Sequence, residues 1–489
     1  MLFHTPEFFF LFALTFLAYH LFRPARLTIL AVASCLFYGA TSWGFLALFL
    51  SVSFLSYLLA RQIRIRSGQA RLWLVLGISL NVMNLAFFKY SLFIIHNLET
   101  LSGLTFVTPN SFWTHIVLPI GISFYTFQLI AYLVDVYKKR TEPAHSFLRF
   151  WVFISFFPHQ LAGPIMRGQE FMPQVERTTS LMVSPADFKY GVYLIIWGLA
   201  KKIMIADQLA PMVLPYFHNP GTLTTMEAWT GAYLFGFQIY ADFSAYSDMA
   251  VGFGYLFGYR LPMNFMSPYI SASATEFWRR WHITLSGWIR DYIYIPLGGS
   301  RKGRVRQDVN LLAAMLISGL WHGAMWTFVI WGALHGLLSI AHKWYANARR
   351  RLLAYLPAAP TAVERLISAL YHVGAVFVFF HLTMITWVFF RAESVTSALA
   401  YVKTMFTPSG GLSGLLTQAS AQSAPLTLAA ILYGVHLLEY GVRKYEGRIA
   451  ATWHRFVPAP IRGLVYAGIV LLIIAMIKGE KHDFIYFQF

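Results

Sequence analysis

Apolar stretches of about 20 residues recur from one end of this chain to the other, and each has the length that a bilayer core about 30 Å thick demands of a helix. Composition points the same way. Of the 489 residues, 57% are hydrophobic and only 12% are charged, against about 25% charged in soluble domains. Too little charge remains to cover a water-facing surface. The expected fold is an all-α polytopic membrane protein, one integral-membrane domain over residues 1–489. That excludes a soluble enzyme, a nucleic-acid binder, a secreted disulfide scaffold and a disordered chain. Cys35 is the sole cysteine, so neither an intrachain disulfide nor a cysteine-based metal site is expected, and no metal is assigned.

The net charge of +18 reads as topology, because Lys and Arg gather in cytoplasmic loops. No Lys or Arg precedes the first apolar run, residues 8–22, while Arg23 and Arg26 follow it. This puts the N-terminus outside. Without a basic leader region, that run is expected to be a retained helix rather than a cleaved signal. A second run, 27–43, is expected to turn at Gly44, a third ends at Arg61, and a fourth spans 72–88. The stretch 91–113 then reads as an outside loop, and a fifth run ends at Lys138. Residues 147–161 are too short to cross, carry Pro158 and have basic residues on both sides, so a re-entrant segment is expected. Crossings near 192–216 and 229–257 follow. Basic and aromatic residues mix over 259–310, the pattern of cytoplasmic interfacial helices. The run 311–340 has basic flanks at both ends and fits a short hairpin or a broken helix. Three last crossings begin near Leu366, Leu426 and Leu464. The total is about ten transmembrane helices plus re-entrant and interfacial helices, with the C-terminal tail outside. No internal repeat of the transporter kind stands out.

Ionisable residues inside apolar spans are costly and are functional candidates by default. His322 leads them, within Gly319-Leu320-Trp321-His322-Gly323, where the glycines leave room for a close backbone or a ligand. His282, in Trp278-Arg279-Arg280-Trp281-His282, reads equally well as catalytic or as an interfacial residue touching headgroups. His335 would lie about 220° from His322 on a continuous helix and reads as structural. Asp242 and Asp248 need partners, for which Arg279, Arg280 and Arg290 are candidates; a packing ion pair is the favoured reading. A lone buried histidine leaves proton transfer or acyl transfer open, so a proton-relaying transporter, an acyltransferase and a structural subunit all stand as functions.

Several strings, in order, narrow this. They include Leu118-Pro119-Ile120-Gly121, Pro158-His159-Gln160-Leu161-Ala162-Gly163-Pro164, Asp242-Phe243-Ser244-Ala245-Tyr246-Ser247-Asp248, Glu276-Phe277-Trp278-Arg279-Arg280-Trp281-His282 and Trp387-Val388-Phe389-Phe390-Arg391. Over residues 118–391 the chain resembles the membrane-bound O-acyltransferase family. It is most similar to the bacterial branch that O-acetylates alginate and peptidoglycan; C-terminal helices and tail follow over 425–489. The resemblance implies an O-acetyltransferase in the bacterial inner membrane, with His322 as the essential histidine and His282 as the second polar residue of the site. Acetyl-CoA would be the donor substrate, with no bound cofactor. The acceptor would be an extracytoplasmic polysaccharide, alginate-like first, with peptidoglycan or another envelope polymer as the alternative. Arg279, Arg280, Arg301, Lys302, Arg304 and Arg306 are expected to face the cytoplasm and either bind the donor's phosphates or meet lipid headgroups.

The tail ends Phe484-Ile485-Tyr486-Phe487-Gln488-Phe489. Its aromatics would hold it at the membrane surface or in an apolar mouth. A phenol with pKa near 10 makes a good leaving group, so Tyr486 could relay the acyl group. The ending resembles the Phe-x-Tyr-x-x-Phe terminus of a small partner protein in the D-alanylation system. Such a relay implies a second, periplasmic acetyltransferase as partner. A plain aromatic anchor is the other reading.

Overall fold

The computed structural model describes residues 1–108, 111–353, 362–408, 410–477 and 484–485. Among these, every regular element is a helix. The chain forms two compact units, Met1–Leu199 with Ala245–Asn264, and Ala200–Ser244 with Phe265–Phe489. Four helical runs are long and apolar enough to cross a membrane: Trp43–Ile65, Ser67–Ser102, Ala362–Arg391 and Ser423–Lys444. Pro6–Leu21, Ile122–Tyr137 and Ala459–Ala475 are shorter apolar helices.

The first unit opens with α1 (Pro6–Leu21), α2 (Arg26–Gly39) and α3 (Trp43–Ile65). Proline suits the first turn of α1, where its missing N–H costs nothing. The turn expected at Gly44 comes earlier, because Ser42 caps α3 by accepting the Phe45 N–H at 3.3 Å. Next come α4 (Ala70–Leu85) and α5 (Ser91–Ser102), joined by a π turn at Ala86–Tyr90. The expected outside loop therefore begins as helix, since a π turn admits an extra residue without ending the helix. The unit continues through α6 (Ile122–Tyr137), α7 (Phe147–Ser155), α8 (Gly168–Glu176) and α9 (Pro185–Ala200).

After the nine-residue α7 the backbone is irregular and buried from Phe156 to Ile165, as expected of a segment that stops short within protein. Gly163 is obligatory there, because a Cβ would lie 2.4 Å from the His159 Cα. Arg26, expected in a cytoplasmic loop, is buried instead. Its guanidinium donates to the carbonyls of Tyr19 and Leu181 at 3.0 and 2.8 Å and lies over the Tyr19 ring. Several carbonyls in reach of its five donors offset the desolvation.

In the second unit a π turn at Lys201–Ala206 leads into α10 (Asp207–His218), which carries Pro211 and Pro215. The crossing expected over 192–216 is thus helical, with a π turn and two prolines within it. Then follow α11 (Thr225–Phe257), which belongs to this unit through Ser244, α12 (Ala274–Phe277) and α13 (Ile283–Ile289). The aromatics of this stretch turn inward, with Tyr269, Phe277 and Trp281 buried in protein. The remaining helices are α14 (Arg304–His322), α15 (Trp326–Leu353), α16 (Ala362–Arg391), α17 (Val395–Phe406), α18 (Gly411–Ala421), α19 (Ser423–Lys444), α20 (Glu446–Phe456) and α21 (Ala459–Ala475).

Helices α14 and α15 form the hairpin that the flanking charges allowed, turning over residues 323–325. Its closed end is held by glycine. A Cβ on Gly319 would sit 2.2 Å from the Phe328 carbonyl oxygen, and one on Gly332 would sit 2.4 Å from that of Met315. So the room at Gly319 is filled by backbone, and the room at Gly323 by the Phe328 ring. At the open end Lys343 pairs with Asp308, and the Trp344 indole N–H donates to the same carboxylate at 3.0 Å. Gly319→Ala should force the helices apart and destabilise the purified protein by about 1–3 kcal/mol, read as a fall in its thermal midpoint in detergent. Gly434→Ala, at a helical glycine with open space around it, should leave the midpoint at or above wild type.

Candidate active site

His322 is the last residue of α14, and the hairpin turn projects it into a cage of rings. Trp321, Trp331 and Phe390 lie 4.9, 5.0 and 5.2 Å away by centroid. His282 sits just before α13 and meets Phe243 at 4.7 Å and Trp321 at 5.9 Å. The two imidazoles are 3% and 0% exposed, and Trp321 borders both. The structure thus brings the two sequence candidates to one aromatic wall. The headgroup-contact reading of His282 fails on its complete burial. Its backbone is in the left-handed region, φ 42°, which costs a non-glycine residue about 1 kcal/mol or more and points to a position held by its surroundings.

His335 lies on α15, so the single-helix wheel does not apply to it. Its ring meets Trp331 at 4.7 Å, and its Nε2 is 3.0 Å from the Thr386 hydroxyl. Stacked on Phe277 as well, it packs the wall's far side, in keeping with a structural role.

The basic candidates divide. Arg280 is engaged by Glu276 at 2.9 Å and donates to the Met266 carbonyl. Arg279, Arg301, Lys302, Arg304 and Arg306 are exposed. Arg304 and Arg306 open α14, 18 and 16 residues before His322, hence about 27 and 24 Å from it along the axis. Arg304 and Arg306 on the one hand and His322 on the other occupy opposite ends of one helix. Cations at a helix N-terminus oppose the macrodipole, so this end favours an anionic occupant.

The expected partners of Asp242 are corrected. Arg280 is taken by Glu276 and Arg290 by Asp291; Asp242 pairs instead with Lys202 at 2.9 Å. Lys202 also holds Asp207 at 2.9 Å. Beside it, Lys201 donates to the Ser244 hydroxyl at 2.8 Å and lies 3.7 Å from Glu439. Glu439 further receives Arg443 and the Tyr240 hydroxyl, and His436, 3.8 Å from it, accepts the Tyr269 N–H. Lys201, Lys202 and Arg443 thus answer Asp207, Asp242 and Glu439. Sequence reasoning missed this cluster. The available signal was the Lys201-Lys202 pair inside a run read as a plain crossing. Lys202→Met should leave two carboxylates without their shared cation and cost about 3–5 kcal/mol, checked by thermal unfolding in detergent. An unchanged midpoint would contradict the pairing.

Of the tail, Phe484 and Ile485 are buried, at 0% and 2% exposed. The Phe484 ring lies 5.7 Å from that of Phe243, the residue that also borders His282. Tyr486 lies outside the described residues.

The model of the membrane-bound O-acyltransferase family matches residues 138–381, a range that includes both histidines and ends before the tail. A protein of Azotobacter vinelandii named probable alginate O-acetylase AlgI is 39% identical, over 91% of this chain and 86% of its own length. The peptidoglycan O-acetyltransferase of Helicobacter pylori is 36% identical, over 85% of this chain and 81% of its own length. The teichoic acid D-alanyltransferase of Streptococcus thermophilus is 29% identical over 46% of this chain and 57% of its own length. The chain is a multi-pass membrane acyltransferase and belongs to the membrane-bound O-acyltransferase family.

Proposed function

We propose that this acyltransferase carries acetyl from cytoplasmic acetyl-CoA to an extracytoplasmic polysaccharide in the bacterial inner membrane, with both termini outside. The observation that carries the reading is the build of α14, with Arg304 and Arg306 at one end and His322, walled by rings, at the other. An acyl-CoA has the matching shape. Its phosphates suit Arg and Lys, and its thioester lies at the end of a long arm. Arg301, Lys302 and Arg279 would add to the phosphate end, with Arg280 in support.

In the chemical step an acceptor hydroxyl oxygen bonds to the acetyl carbonyl carbon. His322 removes the hydroxyl proton, the carbon–sulfur bond breaks, and the proton passes to the leaving thiolate. His282, across Trp321, donates a hydrogen bond to the carbonyl oxygen as charge builds there. The acceptor is the Tyr486 phenol, whose aryl ester then delivers acetyl to a periplasmic acetyltransferase. That partner modifies the polymer. The burial of Phe484 against Phe243, a neighbour of His282, supports a tail that reaches the site. Relatives named for alginate and for peptidoglycan make these the acceptors to test, alginate-like polymer first.

Membranes given labelled acetyl-CoA test each part. His322→Gln should fold and express while transfer falls by about 10²-fold or more; near-normal turnover would overturn the role. Arg304→Ala with Arg306→Ala should raise the KM for acetyl-CoA and leave kcat close to wild type. An unchanged KM would leave lipid as the cluster's partner. Tyr486→Phe keeps the ring and removes the hydroxyl. Wild-type polymer acetylation in that variant would make Tyr486 an anchor and not a relay. Acetate released from each purified polymer of a deletion strain identifies the acceptor.

A further inference from the structure

Asp242 divides its two oxygens between two partners of different kinds. Oδ1 takes the Lys202 ammonium at 2.9 Å, and Oδ2 accepts the Ile485 backbone N–H at 2.7 Å. The side chains of this pair are 1% and 4% exposed, and 243 residues of sequence separate Asp242 from the amide it holds. Lys202 serves Asp207 as well, so one cation answers two carboxylates at this point, and a peptide N–H is a fitting further donor for Asp242. A backbone amide on a buried carboxylate is a charge-assisted bond, roughly twice as strong as a neutral one. Beside it Phe484 is wholly buried, with its ring 5.7 Å from Phe243. A polar clamp on the backbone of one residue and an apolar seat for the side chain before it are the two elements of a peptide-binding site.

We infer that Asp242, fixed by Lys202, is a docking residue for the chain's own C-terminal segment, holding the Ile485 N–H and seating Phe484 against Phe243, a neighbour of His282. Asp242 acts here as a positioning residue and takes no part in the chemistry. A role for Tyr486 in chemistry rests on the proposed relay; the docking of Phe484 and Ile485 does not.

The test reads docking without reading acetyl transfer. A benzophenone photocrosslinker replaces Phe484 in the full-length protein in detergent, and its attachment to the peptide containing Phe243 is measured by mass spectrometry. Ile485→Pro removes the N–H donor and leaves the Lys202–Asp242 pair untouched. It should lower the crosslink at least tenfold, whereas Ile485→Val, which keeps the donor, should stay close to the parent. Asp242→Asn, if it folds, should fall between the two, since a neutral oxygen still accepts. Absence of the crosslink in the parent, or an unchanged yield in Ile485→Pro, would overturn the inference. A strong, donor-dependent crosslink together with normal polymer acetylation by Tyr486→Phe would keep the docking and remove the relay.

Discussion

Charge balance inside an apolar chain is the constraint on which the second unit depends. A carboxylate or ammonium at membrane depth has no water to turn to, so each must find its opposite within the fold. The lysines that do this lie on the π turn at Lys201–Ala206. Adjacent residues on a helix point about 100° apart, so the two lysines serve different partners, Lys201 toward Ser244 and Glu439, and Lys202 toward Asp207 and Asp242. Helix α19 supplies Glu439 and Arg443 as an i, i+4 pair, and α11 supplies Asp242. Three stretches distant in sequence are thereby tied together by pairs that are expensive to break singly. The tie is specific in a way that apolar packing is not. Rings can slide over one another, whereas an ion pair lost in a buried setting has no near substitute.

Much of the helical layout was legible because it depends on local pattern. Runs of apolar residues set α3 and α16, and the arginines from Arg61 onward marked where α3 stops. The break after α7 and the hairpin of α14 and α15 followed from length set against flanking charge. What stayed hidden depends on distant residues. Nothing near Asp242 names Lys202 as its partner, and nearby arginines were the natural choice until Arg280 and Arg290 proved to be held by Glu276 and Asp291. The helix wheel set His335 apart from His322, yet Trp331 touches both, since the chain reverses between them. The mixed basic and aromatic stretch before α14 looked like a surface layer because sequence gives residue types and not directions. In the fold its rings point in and most of its basic groups point out.

At the candidate site, the two histidines stood out in the sequence by type and place, while the feature that unites them did not. Trp321 reads as one more aromatic in an aromatic-rich chain, and its position between His282 and His322 exists only after α14 has folded and turned. Rings are well suited to that position. They are large and rigid, they exclude water, and they bring no charge that would compete with an imidazole for a proton. The same packing explains why glycine is needed close by. With bulky rings filling one side of the hairpin, Gly319 and Gly332 let the two backbones meet on the other.

The left-handed backbone at His282 has a consequence for anyone who would engineer this protein. Glycine adopts that conformation freely, and asparagine tolerates it better than most residues, so on backbone grounds alone either is a better choice there than histidine. A library selected only for heat resistance or detergent yield would weigh that relief, about 1 kcal/mol, against the cavity that a smaller side chain leaves beside Phe243 and Trp321, with no regard for the imidazole itself. Selection schemes for this scaffold need to hold residue 282 fixed, or to score turnover in every round.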